Sequence, residues 1–350
     1  MSARAAVARI LTGPNPPSGV VVGTSVTEAI DIAAGGVDGA GHAVTPSSRF
    51  DVASVTKVAA TTSALMRLVS HGALDLDVPA GSILPELRSA ADASIRDLLT
   101  HRAGLWEWQP LYFTSDPWKT VCELPLRYEP GAGRHYSDLG FMILGRIVSA
   151  VAGAPLDEAV RALVAEPLGL TSTGYGPVAD AVVSGHGDAT EQRMVRTGEP
   201  YPVLLTDPGF TWRAADIRGV VNDGNAAHAF GGVSGHAGLF TTVADLLALG
   251  RALLSGDFVD ERVVADFFTE GADPGQALGW RTGRARLDGF DYRIIWHPGF
   301  TGCAFGVLPE AATAVAVLSN RLLAPEPRTT DSIWTDALSA VPNLTWESTS

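Results

Sequence analysis

Phe50-Asp51-Val52-Ala53-Ser54-Val55-Thr56-Lys57-Val58 sets a serine three residues before one of the only two lysines in the 350-residue chain. Apart from Lys119, the remaining Lys-or-Arg positions all hold arginine, which does not deprotonate in proteins, so Lys57 is an amine placed where a proton can be exchanged. A serine hydroxyl is a weak nucleophile at neutral pH and needs a base within hydrogen-bond reach. Val58, Leu65, Leu68 and Val69 recur at helical spacing and Gly72 supplies a stop, which predicts a helix of roughly four to five turns opening at Ser54. Ser54 and Lys57 then share one helical face. Burial would lower the lysine pKa toward that of a base. The competing reading makes Ser54 a helix cap and Lys57 a solvated surface residue.

Outward from this stretch the periodicity changes by region. Residues 3–11 read as a helix, and 18–24 and 27–33 as two β-branched runs forming an antiparallel pair. Between residues 75 and 210 the chain is punctuated by Pro and Gly, with helices expected at 95–101, 139–151 and 156–168. Residues 277–282, 292–296, 303–308 and 313–319 read as strands, and 330–341 as a closing helix. The order is that of an α+β fold: an antiparallel sheet flanked by helices, built from residues 1–75 and 211–350, with a mainly helical domain, 76–210, inserted as the other side of a cleft. There is no internal repeat and no low-complexity tract.

Two further stretches accompany Ser54-Val55-Thr56-Lys57. Tyr136-Ser137-Asp138 follows Pro130-Gly131-Ala132-Gly133-Arg134-His135, a turn that delivers the chain into the helix expected from Leu139, and His297-Pro298-Gly299 ends a strand. In order and context the three resemble the signatures of the penicillin-binding, class C β-lactamase and related esterase superfamily. Residues 98–105 (LLTHRAGL), 140–145 (GFMILG), 166–170 (EPLGL) and 231–240 (GGVSGHAGLF) agree, and the resemblance runs from about Phe50 to Asn320. It implies a β-lactamase/transpeptidase-like fold and an acyl-enzyme at Ser54. Lys57 would be proton acceptor, or the charge that keeps Tyr136 partly ionised as the second member of the base. An oxyanion hole would come from the backbone N–H groups of Ser54 and Phe300. The run Asn222-Asp223-Gly224-Asn225-Ala226, followed by 231–240, is similar to a subgroup of serine hydrolases, some of which act on peptidoglycan fragments.

Departures from the superfamily pattern bear on substrate. Asp138 stands where an asparagine is usual, so an amide donor becomes an acceptor and recognition of β-lactams and peptide amides weakens. His297 replaces a lysine, removing a permanent charge that would bind a substrate carboxylate and leaving a group mostly neutral at pH 7. Pro298 cannot donate to a ladder, which predicts an edge strand beside the cleft. Together these imply a hydrolase of small carboxylic esters with weak or no β-lactamase activity. The alternatives are an amidase or peptidase on muropeptide or D-amino-acid bonds, an acyltransferase, or a non-catalytic binding module. Asp138, His297 and Gly299 are the expected substrate-binding residues. Trp106 and Tyr112 join them from an aromatic-rich segment (Trp106, Trp108, Tyr112, Phe113, Trp118) that reads equally as pocket lining or core.

Other classes are disfavoured. Net charge is −13 with pI near 5.0, against nucleic-acid or anionic-membrane partners and in favour of a small-molecule ester or amide. No signal-like apolar stretch begins the sequence and no run of eighteen apolar residues occurs, so a cytoplasmic location is expected. Cys122 and Cys303 lack metal-ligand spacing and read as buried, reduced thiols. No cofactor or metal site is expected, since neither a phosphate loop nor H-E-x-x-H nor a calcium loop occurs, and G-x-S-x-G is also absent. His236, between glycines, reads as a hydrogen-bonded structural histidine.

Overall fold

The computed structural model describes residues 2–346. A seven-stranded antiparallel sheet runs in the order Leu344–Trp346, Arg281–Leu287, Phe290–Gly299, Cys303–Leu308, Thr313–Ser319, Gly19–Val26, Ala29–Gly36. The two chain ends meet in it, with Val20 opposite Ser319 and Val26 opposite Thr313. Side chains alternate across a strand, so each apolar run feeds two cores at once. Val20, Val22, Val315 and Val317 pack with the terminal helices Ala3–Thr12 and Thr330–Leu338, whereas Val21, Ala314, Ala316 and Leu318 face the larger core. That larger core continues beneath Ser63–Ser70, Asp138–Ala152 and Val243–Ser255.

Several elements differ from expectation. The strand expected at 277–282 lies at Arg281–Leu287, because Gly279 at φ +80° turns the chain and buries Trp280 in the larger core. The helix expected at 95–101 stops at Leu99, since His101 takes φ +59°; its start carries a Ser94/Asp97 capping box. Residues 156–168 are α-helical over Leu156–Val160 and continue as a wider π turn over Arg161–Ala165. Helix Val243–Ser255, unassigned from the sequence, is capped by Thr242 and stopped by Gly256 at φ +77°. Pro117–Glu123, Ala189–Thr197 and Glu261–Phe268 are also helices. Among the described residues no single helix is long and apolar enough to cross a membrane.

Two close approaches set the site. Phe50–Asp51 pairs with Leu239–Thr241, tying the strand before Ser54 to the glycine-rich stretch. That stretch crosses helix Asp138–Ala152 so closely that a Cβ on Gly235 would lie 2.1 Å from the Phe141 carbonyl oxygen and 2.8 Å from Gly145 Cα. Only glycine permits the crossing.

Candidate active site

The chain reaches Ser54 through a strained turn. Ala53 adopts φ +46°, a region that costs a non-glycine residue about 1–2 kcal/mol. The Asp51 carboxylate holds it, accepting from Ala53 N at 2.8 Å and from Asn222 N at 2.6 Å. Burial raises the Asp51 carboxyl to about 6 against the pull of those two donors. A 3₁₀ turn, Ala53–Val55, then opens into a π-helical stretch, Lys57–Thr62, before the α-helix Ser63–Ser70. Wide turns of this kind recur at functional sites.

Lys57 is 0 % exposed, which removes the surface-lysine reading. Its Nζ donates to Ser54 Oγ at 2.9 Å and to the His236 carbonyl at 3.2 Å, and pairs with Asp138 Oδ1 at 2.7 Å. The Tyr136 ring centroid is 5.1 Å from the ammonium and that of Phe141 5.6 Å. Burial alone would push the lysine pKa down, as the sequence suggested, but Asp138 and Tyr136 outweigh it and the pKa is raised. Lys57 is therefore a held cation. The Asp138 oxygen expected to face substrate is taken up by this pairing. Asp138, Asp223 and His236 bring ligand atoms within 4.8 Å of one another, an arrangement able to hold a cation. The cation beside Asp138 is the Lys57 ammonium.

Four hydrogen bonds hold the Tyr136-Ser137-Asp138 segment. Ser137 caps helix Asp138–Ala152, accepting from Gly140 N at 3.1 Å and donating to the Trp106 carbonyl at 2.7 Å. Asp138 N donates to the Glu107 carbonyl at 2.8 Å. Ser137 N donates to His101 Nδ1 at 3.0 Å, and the His101 ring lies 4.6 Å from that of Tyr136. Burial, then Arg134 and Lys57, hold the His101 pKa well below its usual value, which keeps Nδ1 an acceptor. His101 carries no sequence signal of its own beyond its place in the 98–105 stretch.

The third wall is the end of strand Phe290–Gly299. This strand is interior, not the edge strand expected from Pro298. One neighbour, however, stops at the Arg281–Trp296 pair, so residues 297–299 project past it and form a local free edge. The His297 ring lies 6.0 Å from that of Tyr136, and burial, then Lys57 and Arg281, keep it neutral. A Cβ on Gly299 would fall 2.3 Å from the Val52 carbonyl oxygen, so glycine lets the strand end abut the Ser54 turn. Thr301 Oγ1 secures the junction by donating to the Asp51 carbonyl at 2.8 Å. Phe300 follows, its side chain 46 % exposed beneath the Arg321 guanidinium.

Of the aromatic candidates, Trp106 donates to the Pro125 carbonyl at 2.9 Å, packs under Arg127 and supports Ser137 through its own carbonyl. The Tyr112 hydroxyl is bonded to Glu191 at 2.7 Å, and its ring joins a cluster with Phe113, Phe210, Trp212 and His228. His236 is buried between Asp223 (2.9 Å) and Ser234 (2.8 Å) and reaches Lys57 by its carbonyl alone. Tyr201 was not foreseen: burial, then the charges of Asp138 and Tyr136, raise its hydroxyl to about 12. Buried Gln109 pins that loop, bonding Pro202 O and Leu204 N at 2.8 Å each, and Asn225 pins the Gln109 carbonyl and Leu111 N at 2.9 Å each.

A serine 2.9 Å from a buried lysine, set between an antiparallel sheet and a helical layer, is the arrangement of the β-lactamase superfamily of serine hydrolases. The Beta-lactamase family model matches residues 18–338, and the chain belongs to that family. It is 31 % identical over 308 residues to the N-acetylmuramyl-L-alanine amidase of Bacillus subtilis (strain 168), covering 79 % of this chain and 68 % of the relative. It is 28 % identical over 337 residues to a putative D-alanyl-D-alanine carboxypeptidase of Salmonella agona (strain SL483), covering 86 % and 76 %. The class C β-lactamase of Rhodobacter sphaeroides superposes with a TM-score of 0.69 at 22 % identity, over 97 % of each chain.

Proposed function

We propose that the protein cleaves an amide bond through an acyl-enzyme at Ser54. The observation that carries this reading is the Ser54–Lys57–Asp138 array, a nucleophile 2.9 Å from a buried ammonium held charged by a carboxylate at 2.7 Å. A lysine already carrying its proton cannot take another. In the proposed sequence Tyr136 enters as the phenolate, with the Lys57 ammonium as its counter-charge, accepts the Ser54 proton as Oγ bonds to the carbonyl carbon, and is restored to phenolate as it delivers that proton to the leaving nitrogen while the C–N bond breaks. Water attacks the acyl-enzyme in the same way, its proton passing through Tyr136 back to Ser54 Oγ. The N–H groups of Ser54 and Phe300 receive the oxyanion, an interaction worth about 3–4 kcal/mol in such sites. An amine leaves only when protonated, which a site rich in proton donors favours. The amidase and carboxypeptidase relatives support this choice of bond.

A second reading, hydrolysis of small carboxylic esters, is favoured by Asp138, an acceptor where an amide donor would assist a peptide carbonyl. Intact-mass spectrometry and turnover with a matched p-nitrophenyl ester and p-nitroanilide, and with a muramyl peptide, separate the two. Turnover of an amide substrate that vanishes in Ser54→Ala is the expected result. Ester turnover alone would replace the amide reading with the second one, and reaction indifferent to Ser54→Ala would overturn both.

A further inference from the structure

The turn that carries Phe300 is tied down through three of its carbonyls. Gly299 O accepts from Gly302 N at 3.0 Å and from Thr330 Oγ1 at 3.1 Å. Phe300 O accepts from Arg321 Nε at 2.8 Å, and Gly302 O from Ser319 Oγ at 2.7 Å. The Phe300 N–H, by contrast, has no acceptor among the described residues. In a trans peptide the C=O and N–H point in opposite directions, so the bonds on Gly299 O aim the Phe300 N–H away from the closing helix. Gly299 is forced to be glycine by the Val52 carbonyl oxygen, which an added Cβ would meet at 2.3 Å. The same glycine leaves the plane of the 299–300 peptide free to rotate, because no side chain restricts its backbone. External anchors therefore set that plane, and Thr330 Oγ1 is the side chain among them.

Thr330 has rigid support. It is the buried first residue of the helix Thr330–Leu338. Trp334, one helical turn further on, stacks on Trp296 with ring centroids 5.6 Å apart and planes 2° from parallel. Trp296 stands in the strand that ends at Gly299. The hydroxyl and the carbonyl it holds thus ride on two elements locked together by the stacked rings, the kind of support that keeps a catalytic donor in place. We propose that Thr330 is a positioning residue for the oxyanion hole: its hydroxyl holds the Gly299 carbonyl so that the Phe300 N–H stays aimed at the developing oxyanion. The catalytic readout of this role rests on the hydrolase reading; its structural readout does not.

Thr330→Val keeps the shape of the side chain and removes the hydroxyl, and Thr330→Ser restores it. The probes are a short-chain p-nitrophenyl ester and its thiono analogue, in which sulfur, a weak hydrogen-bond acceptor, replaces the carbonyl oxygen. Thr330→Val is expected to lower kcat/KM for the oxygen ester by about tenfold, a fraction of the roughly hundredfold or more that loss of a whole oxyanion donor costs. The oxygen-to-sulfur ratio should fall by a similar factor. Both should recover in Thr330→Ser, with circular dichroism confirming the fold of each variant. Equal losses on the two probes, or no loss, refute the positioning role, because a merely structural change spares the ratio. If neither probe gives Ser54-dependent turnover in the wild type, the hydrolase reading loses its support. The positioning is then read from the Phe300 amide by nuclear magnetic resonance of protein isotope-labelled at phenylalanine nitrogen, with the resonance assigned by its loss in Phe300→Leu. A single sharp resonance in wild type and Thr330→Ser that shifts or broadens in Thr330→Val sustains the role, and a resonance unmoved by Thr330→Val refutes it.

Discussion

Lys57 and Asp138 show how one residue changes what its neighbour can do. An isolated buried lysine sheds its proton easily, whereas Lys57, 2.7 Å from the half-buried Asp138 carboxylate, keeps it. Asp138→Asn removes the largest influence opposing burial, so the Lys57 pKa should fall. Two measurements check this. The variant should lose about 3 kcal/mol of stability in urea unfolding, as expected when one member of a buried pair is removed. Its pH profile of kcat/KM should gain an ionisation, below that of the wild-type lysine, from the released amine. A profile superposable on wild type would mean that Asp138 does not set the charge of Lys57. His101 acts by the same logic through position, since its neutral Nδ1 accepts from Ser137 N and orients the segment bearing Tyr136 and Asp138.

At the scale of elements, the site depends on two packing arrangements. Gly235 lets the 231–240 stretch lie against helix Asp138–Ala152, bringing the His236 carbonyl to Lys57. Gly235→Ala would drive a methyl into the Phe141 carbonyl, and a loss of about 2 kcal/mol is expected, with weaker Ser54 labelling by a fluorophosphonate. Unchanged stability would show that the crossing yields cheaply. Gln109 and Asn225 act as a relay that pins residues 202–204 and so places Tyr201. Gln109→Leu leaves the Asn225 anchor in place but cuts the 202–204 tether. Limited proteolysis should then cleave within 198–216 faster than in wild type, and equal rates would argue that the loop is held by other contacts.

Across the whole molecule, buried titratable groups give the fold a defined pH response. His101 and His297 are neutral in the folded protein with pKa values well below 6.5, whereas the unfolded chain protonates them near that value. As pH falls below about 6.5 the unfolded state binds more protons, so each histidine removes about 1.4 kcal/mol of stability per pH unit. Asp51, raised from 3.8 to about 6, acts in the opposite sense over that interval, because there the folded state binds the extra proton. Glu191, raised from 4.5 to about 8 by burial and by the charge of Asp223, acts in the same sense as Asp51, so the two carboxyls offset the two histidines between about pH 6 and 4.5. Asp223, lowered from 3.8 to about 2, adds to the loss below 3.8. Urea unfolding should give nearly level free energies at pH 7, 6 and 5 and smaller ones at pH 4 and 3, and a rise from pH 4 to 3 would contradict the neutral histidines.

Local chemistry and the class of fold were legible in the residues alone. The serine-to-lysine interval is fixed by helical geometry, so Lys57 reaches Ser54 Oγ even though the turns there are 3₁₀ and π. Short β-rich apolar runs located the strands 303–308 and 313–319 with their observed bounds. Helix Val243–Ser255 escaped because its apolar residues span more than one face, as befits a helix between sheet and helices. The charge of Lys57, the neutrality of His297 and the local free edge at Pro298 came only with the folded arrangement. Each depends on a partner brought close from a distant part of the chain, and on the loss of water when the layers close. Spacing along a sequence records neither.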